Sequence, residues 1–577
     1  MGANMVSVLV TSVFCTKQDL VIRNPIISGW NPDPSIIRVE NEYFIATSSF
    51  EYWPGLPIYR SVDLVNWELY THALTRPAQL QLYGVPTSAG KDPHLCPQLC
   101  SDLTAAGAWA PSLGRINGKF YLTSMVRWTY DPVAKVWPRA FWIFSDDLRN
   151  WSDPIWSDPW GIDPQLYQDP ATNKVYLNLM SPNNNIDKIW GIYQCEVDID
   201  SGRCIGEYRS LWNGTMPPNA AARPEGPKMF KSGDWYYLLI AEGGTDELHR
   251  ATIARSTSPE GPWESNPNNP LLYNGAYGYD NLTVQSTGHA TLFDTEQGDW
   301  YAVFLARRNV NGTSPLGRET FLCPVAWKDG WPILNEGKPI LLNDPQKPGS
   351  SSIALAPFQD NFDKPALDPS WYHLRTPYSQ TYILDHKDPS SGVVLDANVF
   401  SLSDRDVPAA ILRKQRSLNM TFSAEILPFD GILGPDQTVG ISSYLSELQH
   451  QDIGLTGCKN STGMCIYTSF LNNETTKYDE SPLPTSNLDN MTFHIRAEPL
   501  HYQLGYSVDK ASVSWIASFP SSWMATAPPY WFVFEGAMFA LFASGNGRPW
   551  PPNAPKVGFR KVREVCFDEH IPDHEVW

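Results

Sequence analysis

The sequence predicts an all-β chain of at least two domains, the first of them a five-bladed β-propeller. Three observations carry this reading. Short aromatic strand signals recur five times before residue 345, and 50 Pro and 39 Gly spread turns along the whole length. The 577 residues also exceed what one hydrophobic core usually serves.

The five strand signals are Tyr43–Thr47, Tyr121–Ser124, Tyr176–Leu179, Tyr236–Ile240 and Tyr301–Leu305, about 55 to 78 residues apart. Each follows a polar turn: Glu40-Asn-Glu42, Asn117-Gly-Lys119, Thr172-Asn-Lys174, Ser232-Gly-Asp234 or Gln297-Gly-Asp299. A polar turn followed by an aromatic strand is a hairpin signature. The next strand also repeats. Pro57-Ile-Tyr-Arg-Ser-Val-Asp-Leu-Val-Asn-Trp67 matches Phe141-Trp-Ile-Phe-Ser-Asp-Asp-Leu-Arg-Asn-Trp151, and Ala251–Trp263 is a looser copy. One four-stranded sheet plus loops fits this spacing, as in a propeller blade.

The strand ahead of each turn carries a related motif. The five are Asp33-Pro-Ser-Ile36, Ala110-Pro-Ser-Leu113, Asp163-Pro-Gln-Leu166, Glu225-Gly-Pro-Lys-Met229 and His289-Ala-Thr-Leu292. Innermost strands of a propeller line its channel, so equivalent positions converge on one axis. Here they read Asp, Ala, Asp, Glu and His, with Trp109 just before the Ala. Carboxylates crowded in a partly desolvated cleft cannot all ionise cheaply, so at least one pKa is expected to rise. Taken singly, each residue has a plainer reading. An Asp before Pro makes an Asx-turn, and Glu225 could pair with Arg223. Recurrence of an acid in three repeats favours a site.

Two carboxyls across a glycosidic bond suffice to hydrolyse it, one protonating the leaving oxygen and the other activating water or attacking the sugar. Glu225, the longer acid beside Gly226 and Pro227, suits the proton donor. Asp33, held in Asn31-Pro-Asp-Pro-Ser35, suits a base that positions water, and Asp163 would then tune the acid. Aromatic faces pack on sugar C–H faces, which makes Trp53 and Trp109 candidates for the pocket mouth. His289 reads as a tuning or structural group before a metal ligand, because no second ligating His is near in sequence.

These motifs, with Gly161-Ile-Asp-Pro164, Arg223-Pro-Glu-Gly-Pro227 and Leu316-Gly-Arg-Glu-Thr320, resemble glycoside hydrolase family 43. They resemble in particular its two-domain β-xylosidase/α-L-arabinofuranosidase branch. The resemblance implies an inverting mechanism with Asp33 as general base, Glu225 as general acid and Asp163 as pKa modulator. It implies that Arg318 binds sugar hydroxyls and that His289 is an active-site histidine. It also implies a C-terminal β-sandwich, opening at Phe358-Gln-Asp-Asn-Phe-Asp363, that lends an aromatic to the rim, for which Phe539 is the candidate. No cofactor is required, and a structural Ca²⁺ in the channel is compatible with the family. The substrate expected is a xylo-oligosaccharide or an arabinoxylan-derived chain, trimmed of terminal xylose from β-1,4 linkages. The alternatives are α-L-arabinofuranosidase as main activity or, from another class, a non-catalytic sugar-binding propeller.

The expected domains are 1–22, an N-terminal segment with the traits of a degenerate secretory signal; 23–344, the propeller; 345–356, a linker; and 357–577, the sandwich. Net charge is −18, from 43 Lys+Arg against 61 Asp+Glu, which disfavours a nucleic-acid partner. No run of 18 apolar residues suggests a membrane span. Of nine cysteines, Cys96/Cys100, Cys195/Cys204 and Cys458/Cys465 form close pairs, and Cys195 and Cys204 flank a turn that a disulfide could bridge. Eight N-x-S/T sequons favour secretion. Residues 78–108 read as an elaboration before the second blade.

Overall fold

The computed structural model describes residues 22–82, 107–129, 136–184, 189–219, 221–342, 355–385, 392–472, 475–484, 488–509, 511–524, 526–527, 531–532 and 534–567. The proposed signal segment apart from residue 22, the Cys96/Cys100 pair, most of the 78–108 elaboration and nearly all of the 345–356 linker lie outside these. The described residues are almost entirely strand and loop, with 3-10 turns at Asn335–Gly337 and Ser521–Met524. None of their helices is long and apolar enough to cross a membrane.

Five antiparallel sheets follow one another along the chain. They begin with strands Ser35–Val39, Ser112–Ile116, Ile162–Gln168, Glu225–Ser232 and Val284–Asp294. The aromatic strand predicted from each repeat pairs with that first strand: Glu42–Ala46, Lys119–Thr129, Val175–Asn184, Trp235–Glu242 and Trp300–Arg308, the second of these also taking Gly107–Ala108. Each first strand lies against the first strands of the neighbouring sheets, and that of the fifth sheet returns to the first. The first strands therefore make a ring. Aromatics such as Tyr121, Trp142, Tyr237 and Trp331 fill the gaps between neighbouring sheets.

The ring is closed by the chain ahead of the first sheet. Ile27 pairs antiparallel with Thr320 of the fifth sheet, and the Asn31 N–H donates to the Arg318 carbonyl at 2.9 Å. This lays Asn31-Pro-Asp33 beside Arg318, although 285 residues separate Asp33 from Arg318.

Residues from Phe358 onward build two facing sheets. The larger is centred on Met420–Ile426, Thr492–Ala497 and Val557–Cys566; the smaller has six strands, from Ala409–Lys414 to Thr475–Pro482. Alternate residues such as Phe422, Ile495, Ile441 and Leu455 meet between them in one core. The two halves of the chain also share a core. Strand His373–Leu374 pairs with Tyr52–Trp53, and Trp30, Phe50 and Tyr52 pack on Tyr372, Tyr444 and Met538. Disulfides join Cys195 to Cys204, as expected from the turn between them, and Cys458 to Cys465.

Candidate active site

The recurring motif has a conformational basis. Asp33, Asp163 and His289 all have φ between 50° and 56°, and Gly226 has φ 60°. Each is followed by Pro or Ala. Pro cannot donate to the ladder, and the pairing slips between Ile162 and Gln165, between Glu225 and Lys228, and on both sides of Gly288. Such bulges turn side chains off the regular alternation toward the middle of the ring. The residue sharing the slot of Asp33, Asp163 and His289 is thus Gly226, and Glu225 stands one position earlier. The glycine is required there: a Cβ on it would lie 2.9 Å from Cε1 of His289.

The four groups converge. Nδ1 of His289 is 3.8 Å from Oδ1 of Asp33, and Asp163, Glu225 and His289 each offer a ligand atom within 4.8 Å of the others. Asp33 is held on both oxygens, accepting from Ser48 Oγ at 2.6 Å and from Arg318 Nη1 at 2.8 Å. Two short bonds, one of them charge-assisted, fix the orientation of this carboxylate. Asp163 accepts from the Gly226 N–H at 3.1 Å. Burial, and then the charge of Asp33, push its pKa up to about 7, against the pull of Lys228. Glu225 is half-buried; desolvation, and then the charge of Asp163, push it up to about 8. Burial holds His289 well below its ordinary range, so the imidazole is neutral. The site sets Asp33, oriented by Ser48 and Arg318, against Glu225, whose pKa is pushed up to about 8.

Sequence reasoning missed several residues. Lys228 is buried, donates to Ser112 Oγ at 2.6 Å, and is brought down to about 8 by desolvation. It sits two residues beyond the motif slot, where strand alternation returns to the same face. The equivalent positions are Ser35, Ser112, Gln165 and Thr291, all polar, so this second layer could have been read from the repeat. Phe50 and Phe534 were not legible that way. Phe534 stacks with Trp109, their centroids 6.1 Å apart, and with Phe50 at 6.2 Å. Its carbonyl accepts from Nε and Nη2 of Arg318 at 3.4 and 3.3 Å.

Two expected aromatics stand elsewhere. Trp53 packs in the core of the first sheets with Leu56 and Leu74, whereas Phe50, three residues earlier, lies beneath the Arg318 guanidinium at 5.6 Å and beside Trp109. Phe539 is fully buried in the sandwich, stacked on Phe422 at 4.9 Å. The sandwich reaches the site through Phe534 instead. Strand alternation explains the miss, because Phe539 lies on the face of its strand turned to the sandwich core. Trp109 does stand beside the site, in the stack with Phe50 and Phe534.

A half-buried acid whose pKa is raised, facing a second, oriented carboxyl group, is the pair that glycoside hydrolysis uses. Residues 22–332 match the model of glycosyl hydrolases family 43, and residues 359–551 match the β-xylosidase C-terminal concanavalin A-like domain. The chain is 32% identical to a non-reducing end α-L-arabinofuranosidase of Bacteroides ovatus, over 91% of this chain and 92% of the relative. It is 29% identical to a xylan 1,3-β-xylosidase of a Vibrio species, over 91% and 96%. The crystal structure of a xylan β-1,4-xylosidase from Bacillus halodurans superposes with a TM-score of 0.80 at 26% identity, covering 94% of this chain and 99% of that one. The chain belongs to glycoside hydrolase family 43.

Proposed function

We propose that this enzyme removes single terminal pentoses from the non-reducing end of β-1,4-xylo-oligosaccharides with inversion at the anomeric carbon. Glu225 protonates the leaving oxygen, Asp33 draws a proton from the attacking water, and Asp163 keeps the acid protonated through its charge. Arg318, joined to Asp33, binds hydroxyls of the terminal sugar, while Trp109, Phe50 and Phe534 wall the subsite. The observation that carries the reading is the split between the two acids. Asp33 is charge-paired on one oxygen and hydrogen-bonded on the other, whereas Glu225 is pushed up to about 8 by burial and Asp163. An oriented acceptor for the proton of water thereby stands opposite an acid whose pKa is raised. A non-catalytic sugar-binding propeller would have no use for that arrangement.

The five sheets are read as blades of a five-bladed β-propeller, supported by the cyclic contact of their first strands. We read 23–344 as the catalytic domain and 357–577 as the accessory sandwich. The disulfides and sequons support a secreted enzyme. Asp163, Glu225 and His289 offer two carboxylates and one nitrogen, a poor match for the six to eight oxygens that Ca²⁺ takes. No step of the proposed reaction needs a metal.

α-L-Arabinofuranosidase activity in the same pocket is the second reading, favoured by the 32% identity to the Bacteroides ovatus enzyme. Incubation with xylotetraose, followed by proton NMR, tests the first. Xylose and xylotriose should appear together, the xylose first as its α-anomer. Release of xylobiose alone, or of the β-anomer first, would overturn it; cleavage of nitrophenyl arabinofuranoside but not xyloside would establish the second.

A further inference from the structure

The six-stranded sheet of the sandwich has one apolar face, Val439, Ile441, Ile453 and Leu455, turned to the core. Its other face changes character along its width. Near the ring domain it carries Tyr444, Met538 and Phe542, packed with Trp30 and Phe50. Toward its far strands the same face turns polar and borders a cavity of about 260 Å³, lined by residues that include Asp436, His450, Asp452, Tyr467, Tyr478 and Asn546. None of these belongs to the catalytic site.

Its walls are organised. His450 and Asp452 are buried at 6% exposure, and the imidazole is fixed at both nitrogens: Nδ1 at 3.0 and 3.1 Å from the Asp452 carboxylate, Nε2 at 2.8 Å from Ser403 Oγ. Tyr467 and Tyr478 stand parallel, their centroids 5.8 Å apart and their planes 18° apart, with Lys459 Nζ 3.6 Å over Tyr478. Asn546 Nδ2 donates to the Asp436 carbonyl and to Thr438 Oγ1. These polar groups are hydrogen-bonded to one another, so they form a fixed polar surface beside the tyrosine rings. They match a ligand with many hydroxyls and flat C–H patches. The volume falls just below the range of about 300–1,000 Å³ typical of drug-sized ligands and suits one or two sugar rings. The lining balances Asp436 and Asp452 against Lys459, with Arg548 2.8 Å from Asp436, which suits an uncharged ligand, and its polar groups disfavour lipids.

We propose that this cavity is a second carbohydrate-binding site, which holds a neutral sugar unit of the chain that the catalytic pocket shortens. The identity of that chain rests on the function proposed above; the cavity itself does not. Asp452, Asp436 and Asn546 would meet the hydroxyls, and Tyr478, 37% exposed, the apolar C–H edge of the sugar. The site would keep a long or insoluble substrate on the enzyme between turnovers.

The test is calorimetric titration with thio-linked xylotetraose, which cannot be hydrolysed. The whole chain is compared with Ser403→Trp, which fills the cavity from an exposed position, and with Tyr478→Ala. Two binding events per chain are expected. One should weaken at least about tenfold in both variants, about 1.4 kcal/mol. Turnover of nitrophenyl β-xyloside by the variants should stay within about twofold of the parent, while release of xylose from insoluble xylan falls. A single event that neither variant alters would overturn the proposal. A single event lost in Ser403→Trp but unmoved by Arg318→Met would uphold it and count against the catalytic reading.

Discussion

The backbone N–H of Gly226 donates to Oδ2 of Asp163 at 3.1 Å, so the residue that follows Glu225 is tied to the neighbouring acid. One bond sets the distance over which the charge of Asp163 acts on Glu225. The φ of 60° and the His289 ring 2.9 Å from where a Cβ would stand explain why a glycine sits in the slot that other repeats give to an acid or imidazole.

Asp163→Asn should shift the alkaline limb of the pH profile. Glu225 must be protonated to act, so kcat/KM is lost as pH rises through its pKa of about 8. Removing the Asp163 charge withdraws the second-largest cause of that elevation, and the limb should move to lower pH. A profile of kcat/KM against pH checks this; an unmoved limb would mean that burial alone raises the acid.

Gly226→Ala should cost both stability and turnover. The residue is at φ 60°, and the new Cβ would press on His289 at 2.9 Å. Destabilisation of about 1–3 kcal/mol is expected, read as a drop in denaturant midpoint. A fall in kcat exceeding the fall in folded fraction would separate the displaced site from mere unfolding.

Phe534→Ala and Phe539→Ala should differ in kind. Phe534 walls the site with Trp109 and Phe50, so its loss should raise KM with little effect on thermal unfolding. Phe539 fills the sandwich core, and truncating it should cost about 3–5 kcal/mol of stability. Paired melting curves and Michaelis–Menten kinetics distinguish them.

Glu51→Gln should flatten the dependence of stability on pH. Glu51 is fully buried behind Phe50, and desolvation pushes it up to about 8. An acid raised on folding holds its proton in the folded state while the unfolded chain releases it. Stability therefore declines as pH climbs from about 4.5 to about 8. The amide removes that slope, and its midpoint should equal or exceed the parent's at pH 8, as chemical denaturation at several pH values would reveal.

The repeat made the sheets legible because each hairpin announces itself locally, a polar turn followed by an aromatic strand. Asp33 and Asp163 were legible for the same reason, since a recurring slot converts sequence spacing into spatial convergence, and Glu225 stood out as the acid one position ahead of that slot in its own repeat. Lys228 was within reach of that logic, two residues further along the same strand. Phe534 was not. Its place depends on how the sandwich seats on the ring, through the pairing of His373–Leu374 with Tyr52–Trp53, a long-range contact with no local signature. The choice of Phe539 over Phe534 failed on strand facing, which only the sandwich core decides.

The most direct measurement compares Glu225→Gln with the parent enzyme on xylobiose and on an aryl xyloside whose leaving group needs no proton. If Glu225 is the general acid, kcat/KM on xylobiose should fall by about 10²–10⁴-fold while the activated substrate loses far less. An equal loss on both substrates, or none on xylobiose, would contradict it.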